Sequence, residues 1–288
     1  ILPCYNAEKY LSDCLESICN QTLEHFEVIA IDDGSTDSTW SILQEYSQQD
    51  TRFKIIRREN LGLIATLNEA IMKSDGDFIA RMDADDICVP TRFEIQLSEM
   101  QRRELDICGS HYLAINNLGQ GMFTYMAPIN PVSCLLGLSQ RCILAHPSVM
   151  IRRSFLEKHG LHYGIGNYSN AEDYSLWLHA IDHDAKVANI DEILIKYRIH
   201  DLNLSKRNKI KLRRENRLLK KEFIPRIIKR FEAINYNVKI KNLPPQDAII
   251  FMEYYFRFKF KSFCYNLRAF YSSHGKRSLL ILIYNLIF

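Results

Sequence analysis

An α/β fold is the architecture this sequence predicts: a mostly parallel central sheet flanked by helices, with a helical, basic C-terminal extension. Three observations predict it. Apolar runs of strand length alternate with helical stripes through the first 105 residues. Acidic residues cluster where two of those strands end, the edge at which such sheets bind ligands. The charge balance also changes sign near residue 200. Residues 1–200 hold 17 Lys and Arg against 28 Asp and Glu, whereas residues 201–288 hold 20 against 6.

The chain opens Ile1-Leu2-Pro3, as though inside a strand, which predicts that the natural protein starts earlier. Leu11, Leu15 and Ile18 stripe a helix from Tyr10 to Cys19. Val28 to Ile31 reads as a strand running into the turn Asp32-Asp33-Gly34-Ser35-Thr36-Asp37. Ser38 or Thr39 caps a helix reaching about Gln48, and Phe53 to Ile56 is a short strand. Asn60-Leu61-Gly62 turns into a helix striped by Ile64, Leu67 and Ile71. Phe78 to Ala80 is a short buried strand, and Thr91 to Glu104 is a helix.

Residues 106–200 are less regular. Ile107 to Ser110, Tyr112 to Ile115, Met122 to Tyr125 and Ser148 to Ile151 read as strands. Glu172 to His183 is a helix with Leu176, Trp177, Ala180 and Ile181 on one face, and Ile193 to Ile199 is a strand ending in His200. Lys206 to Arg230 is basic and helix-like. Phe251 to Phe270 mixes aromatics with Arg and Lys, and Ser278 to Phe288 is nearly all apolar. That last run is about half the roughly 20 residues a bilayer-spanning helix needs.

With 288 residues, 47% hydrophobic and 25% charged, the chain reads as a soluble globular protein of one or two domains. Its eight cysteines form no CxxC pair, which predicts reduced thiols in a cytoplasmic protein and no zinc site. No signal peptide, Walker A loop or nucleic-acid module is present, so nucleic acid is not an expected partner. Basic residues interleaved with Phe and Tyr suit an anionic membrane surface, although a solvated helix pair packed on the main domain has the same composition.

The chemistry centres on Asp83-Ala84-Asp85-Asp86. Asp83 and Asp85 are two apart, so in an extended stretch they point the same way. Such oxygens suit Mg²⁺ or Mn²⁺ bound with substrate phosphates, but a solvated acidic turn also fits one short motif. Asp32-Asp33 lies at a second strand end and Tyr5 at a third, so three segments converge on one crevice. Asp173 begins the inward face of its helix and suits the helix dipole. Capping of that helix by Glu172 and Asp173 is the other reading.

Pro3-Cys4-Tyr5-Asn6-Ala7, Ile31 to Asp37, Asn60-Leu61-Gly62, Asp75 to Ile79, Arg81 to Asp86 and Ala171-Glu172-Asp173 occur in that order. As an ordered set over residues 1 to about 200, they resemble the family 2 glycosyltransferases of GT-A fold. The resemblance implies a nucleotide-sugar donor, often a UDP-sugar, and a divalent metal, Mn²⁺ or Mg²⁺. It also implies inverting hexosyl or N-acetylhexosaminyl transfer to a glycan or lipid-linked glycan acceptor in lipopolysaccharide, capsule or exopolysaccharide synthesis. On this reading residues 1–205 are the catalytic domain, with a nucleotide-sugar half to about 105 and an acceptor half after it. Residues 206–288 are the C-terminal region, peripheral on the inner face of the cytoplasmic membrane.

Carried over by motif, Asp33 resembles the residue that accepts a hydrogen bond from uracil, with Pro3, Tyr5 and Asn60 lining the base pocket. Asp83 would lie near the ribose and the metal, and Asp85 would be the main metal ligand. Glu172 would line the substrate site, Asp173 would be the general base, and His200 would touch metal or diphosphate. One departure stands out. Many members carry Arg where Leu67 precedes Asn68, so Arg57, Arg58 and Arg81 become the candidates for that diphosphate contact. A metal-dependent nucleotidyltransferase and a non-catalytic nucleotide-sugar-binding protein are the competing readings.

Overall fold

The computed structural model describes residues 1–200, 208–233 and 243–258. The first half alternates as expected. Strands β1 (Leu2–Cys4), β2 (Val28–Asp33) and β3 (Phe53–Arg58) form a parallel sheet, with Pro3 opposite Ile31 and Ile31 opposite Ile56. Helices α1 (Leu11–Cys19), α2 (Thr39–Gln49) and α3 (Leu63–Lys73) connect them. β2 is buried along its whole length, as a central parallel strand covered on both faces must be.

A second sheet carries the rest. β4 (Phe78–Ala80) pairs antiparallel with β8 (Met150–Arg152), and β8 pairs antiparallel with β6 (Ile107–Ile115). β6 runs parallel to β9 (Val187–Arg198), which holds the short antiparallel β5 (Ile87–Cys88). β7 (Gly121–Tyr125) forms a hairpin with β6. The sheets meet where the Ile1 nitrogen donates to the Ala80 carbonyl at 2.7 Å and the Met82 amide to the Ile1 carbonyl at 3.2 Å. Parallel order therefore dominates the first sheet, and the second is mixed. The two strands expected at Ile107 to Ser110 and Tyr112 to Ile115 are one strand, irregular around His111.

The remaining helices are α4 (Arg92–Arg102), α5 (Pro131–Gln140), α6 (Arg153–His159), α7 (Glu172–Asp182), α8 (Lys209–Ala233) and α9 (Pro245–Phe258). α5 left no helical stripe in the sequence because Val132 to Ser139 are all buried, and a helix covered all round has no polar face. Asn130 caps it, its side-chain oxygen accepting the Val132 amide at 2.9 Å. α8 is the expected basic helix. Leu219, Phe223, Ile227 and Phe231, four apart, are buried in the core that also contains α5 and α7. Burying such side chains contributes about 1.5–3 kcal/mol each, so this part of the C-terminal region is packed onto the core of the preceding chain. No helix among the described residues is long and apolar enough to cross a membrane. The apolar run at Ser278 to Phe288 lies outside the described residues, as does most of Phe251 to Phe270. The seven cysteines among the described residues are free thiols.

Candidate active site

The loops after β1 and β2 are stitched together at the carboxyl edge of the parallel sheet. The Asn6 amide donates to Ser35 Oγ at 2.9 Å, the Thr36 amide to Asn6 Oδ1 at 2.9 Å, and the Ala7 amide to Thr39 Oγ1 at 2.8 Å. Tyr5 is left 55% exposed at this edge, and Pro3 is half-buried beside it in β1. Gly34 has φ +77°, and a Cβ there would lie 2.7 Å from the Asn60 amide nitrogen. Only glycine lets the Asn60 loop close against the β2 turn.

Asp33 is more engaged than the sequence suggests. Its Oδ1 accepts the Leu61 amide and its Oδ2 the Gly62 amide, both at 2.9 Å, and Arg58 pairs with Oδ1. A carboxylate has about four acceptor positions, so Asp33 both braces the Asn60 loop and keeps acceptor capacity. Arg58 is further occupied by Glu69 at 2.7 Å and Thr66 at 2.8 Å. Arg57, 3.2 Å from Asp32, is about half exposed and is the more accessible of the two.

The acidic loop between β4 and β5 is a turn, with the Asp86 amide donating to the Asp83 carbonyl at 3.3 Å. Strand alternation therefore does not apply, and Asp86 joins Asp83 and Asp85. Ligand atoms of all three lie within 4.8 Å of one another. His200 Nε2 is 2.7 Å from Asp85 Oδ2. Burial pushes the Asp86 carboxyl well above the usual range, and the charges of Asp85 and Asp83 add to the effect. Asp83 is raised too, by burial first, with the Asp85 charge adding and the Arg81 charge opposing. Three carboxylates this close repel unless protonated or neutralised by a cation. An oxygen-rich set with one imidazole suits Mg²⁺ or Mn²⁺, and the buried Asp86 Oδ2 has no hydrogen-bond partner.

Arg198, missed from sequence, holds this loop from β9. Its amide donates to Asp86 Oδ1 at 2.7 Å and its Nε to the Asp85 carbonyl at 2.9 Å. Its guanidinium lies 4.4 Å from the Tyr10 ring centroid and 3.0 Å from Asp13. Asp86 belonged to the acidic run read from the sequence without being assigned a role, and Arg198 had no signal beyond lying two residues before His200.

Across the crevice, α7 brings Glu172 and Asp173 to its first turn. Asp173 Oδ1 accepts the Tyr174 amide at 2.6 Å, and the Cys142 thiol lies 3.7 Å from Oδ2. Burial raises the Asp173 carboxyl, opposed by that amide and by the Arg81 charge. Glu172 is pushed up to about 7 by burial and then by the Asp173 charge. His146 Nδ1 is 3.9 Å from Glu172 Oε1, but burial and the Arg81 charge hold the imidazole neutral, so this is not an ion pair. His146 Nε2 is 3.0 Å from the Tyr163 hydroxyl.

Arg81 links the two sides. It is buried, its Nη2 is 2.5 Å from Asp83 Oδ1, and its Nε and Nη1 have no hydrogen-bond partner. Its charge acts on Asp83, Glu172 and Asp173, and the Asp173 charge in turn raises Asp83. Thus the acidic loop and the start of α7, far apart in sequence, face one another.

The model of the family "Glycosyl transferase family 2" matches residues 1–160. The chain belongs to this family. An uncharacterized glycosyltransferase of Haemophilus influenzae is 34% identical over 69% of this chain and 64% of its own length, so the chain spans less than two thirds of that relative. The O-antigen biosynthesis glycosyltransferase WbnJ of Escherichia coli is 32% identical over 72% of this chain and 81% of its own. Among solved structures, Staphylococcus aureus TarS 1-349 in complex with UDP superimposes with TM-score 0.60 at 19% identity, covering 96% of this chain and 81% of that one. The mannosyltransferase PcManGT of Pyrobaculum calidifontis, in complex with GDP-Man and Mn²⁺, superimposes with TM-score 0.56 at 15% identity, covering 99% and 77%. The fold is accordingly of the GT-A type, and the glycosyltransferase relatives include proteins of polysaccharide synthesis. The family match includes Pro3, Tyr5, Asp33, Asn60, Asp83 and Asp85, and ends before Glu172, Asp173 and His200.

Proposed function

We propose that the chain is an inverting glycosyltransferase. It moves a sugar from a nucleoside-diphosphate donor, UDP-linked, to a hydroxyl of a glycan or lipid-linked glycan in cell-surface polysaccharide synthesis. The observation that carries this reading is the convergence of two carboxylate groups, Asp83–Asp86 and Asp173, about the buried Arg81. Single displacement at a sugar carbon needs one group on the leaving side and one across the ring. The UDP-bound TarS structure supports the choice of donor base.

Asp83, Asp85, Asp86 and His200 are the residues that would hold a divalent cation. When bound, Mg²⁺ or Mn²⁺ supplies Lewis-acid stabilisation of charge on the departing diphosphate. The protein's own groups do the rest. Pro3, Tyr5 and Asn60 line the base pocket, with Asp33 accepting from the base ring. Asp173 takes the proton of the acceptor hydroxyl, and its upward shift toward neutrality makes it a better base than a solvated carboxylate. The Arg81 charge opposes that shift.

The exposed face of α8 carries Lys209, Lys211, Arg213, Arg214, Arg217 and Lys221, with Ile210 85% exposed among them. This basic face with an apolar side chain supports peripheral attachment of the C-terminal region 206–288 to an anionic membrane surface on the cytoplasmic side.

The deciding experiment is Asp173→Asn, which preserves shape but cannot take a proton. Turnover falls about 10²–10⁴-fold with UDP affinity unchanged, because the lost interaction belongs to the transition state. Near-normal turnover in this variant would remove Asp173 from the mechanism. A dead Glu172→Gln beside it would shift the base by one residue.

A further inference from the structure

Helix α7 begins without a cap of its own. Its N-cap residue is Ala171, whose side chain offers no acceptor, although the first amides of a helix need partners. Glu215 of α8, 45 residues from Asn170, takes the N-cap amide and the one before it. Its Oε2 accepts the Asn170 amide at 2.8 Å and the Ala171 amide at 3.0 Å, and its Oε1 accepts the Asn170 side-chain amide at 2.7 Å. These two residues immediately precede Glu172 and Asp173. A carboxylate there also meets the positive end of the α7 dipole. Glu215 is itself well seated. It lies one turn before Leu219, the first of the α8 side chains buried in the shared core.

From this geometry we infer that Glu215 is a positioning residue for glycosyl transfer. It fixes the backbone entering α7 and thereby sets the Asp173 carboxylate against the acceptor hydroxyl. The basic C-terminal helix is then a working part of the active site. The inference rests on the reading of Asp173 as the base. Its magnitude follows from the geometry of proton abstraction, where a displacement of about 1 Å costs on the order of 10²-fold in rate.

Three variants of the full chain test it: Glu215→Ala, Glu215→Gln, and Glu215→Ala combined with Asp173→Asn. Glu215→Ala is expected to lower kcat about 10- to 100-fold, while the donor KM stays within about twofold. Hydrogen exchange of the Ala171 to Ser175 amides speeds up, because the first turn of α7 frays more often. Glu215→Gln keeps an acceptor oxygen and recovers most of the lost rate. The double variant is no slower than Asp173→Asn alone, since residues acting through one group are not additive. Full kcat in Glu215→Ala, a loss appearing in the donor KM instead, or losses that multiply in the double variant would each overturn the inference. A fully active Asp173→Asn fails differently: it removes the base reading and this inference with it. A fully active Glu215→Ala beside a dead Asp173→Asn removes only the positioning role.

Discussion

Glu172 makes the folded protein pH-sensitive in a direction opposite to most carboxylates. Its side chain is 12% exposed, and burial with the Asp173 charge raises its carboxyl from the usual 4.5 to about 7. The folded state therefore keeps a proton that the unfolded chain releases. Below about pH 4.5 both states are protonated and Glu172 contributes no penalty. As pH rises through 7 the penalty for the buried charge becomes complete, so this contribution to stability is lost toward alkaline pH. One pKa unit corresponds to about 1.4 kcal/mol, which makes the penalty about 1 kcal/mol at pH 5 and about 3 kcal/mol at pH 8. The neutral His146 imidazole does not offset it. Glu172→Gln removes the charge while keeping shape. Urea unfolding at the two pH values is the assay: the variant gains about 2 kcal/mol more over wild type at pH 8 than at pH 5. An equal difference at both pH values would refute the argument, because a packing or capping effect does not titrate.

The remaining expectations concern the donor side and the surface. Asp85→Asn removes the charged group beside His200 and should abolish transfer with the fold intact by circular dichroism; unchanged turnover with Mn²⁺ supplied would sink the metal assignment. Asp33→Ala is expected to weaken UDP binding by about 10- to 100-fold, the equivalent of one charge-assisted hydrogen bond of about 1.5–3 kcal/mol. Equal UDP affinity by calorimetry, or a wild-type preference for GDP, would count against the base pocket. Wild-type protein should sediment with anionic vesicles at low salt and be released at high salt. Arg214→Glu combined with Arg217→Glu should stay in solution; equal sedimentation of the two proteins would reject α8 as the anchor.

Much of this protein is written in short-range pattern. The strand–helix alternation to Arg102, the acidic loop after β4 and the inward start of α7 could all be read from the sequence. Side-chain periodicity follows from local backbone geometry, and the helices there have one buried face, while β2, buried throughout, shows as a continuous apolar run. α5 escaped because burial on every side erases the period, and β5 because a strand of two residues has none.

Contacts between distant segments are another matter. Sequence determined that carboxylates would gather at the ends of β2 and β4 and that Asp173 would face inward. Only the tertiary structure decided that the Asp83–Asp86 segment turns, which brings Asp86 beside its neighbours. It also decided that Arg198 reaches back 112 residues to hold that loop, that Arg58 and the Asn60 loop occupy much of Asp33, and that Glu215 caps α7. The physical reason is that periodicity reports which face of an element is buried. Which partner meets a buried polar group depends on how elements cross, and that depends on the packing of the whole chain.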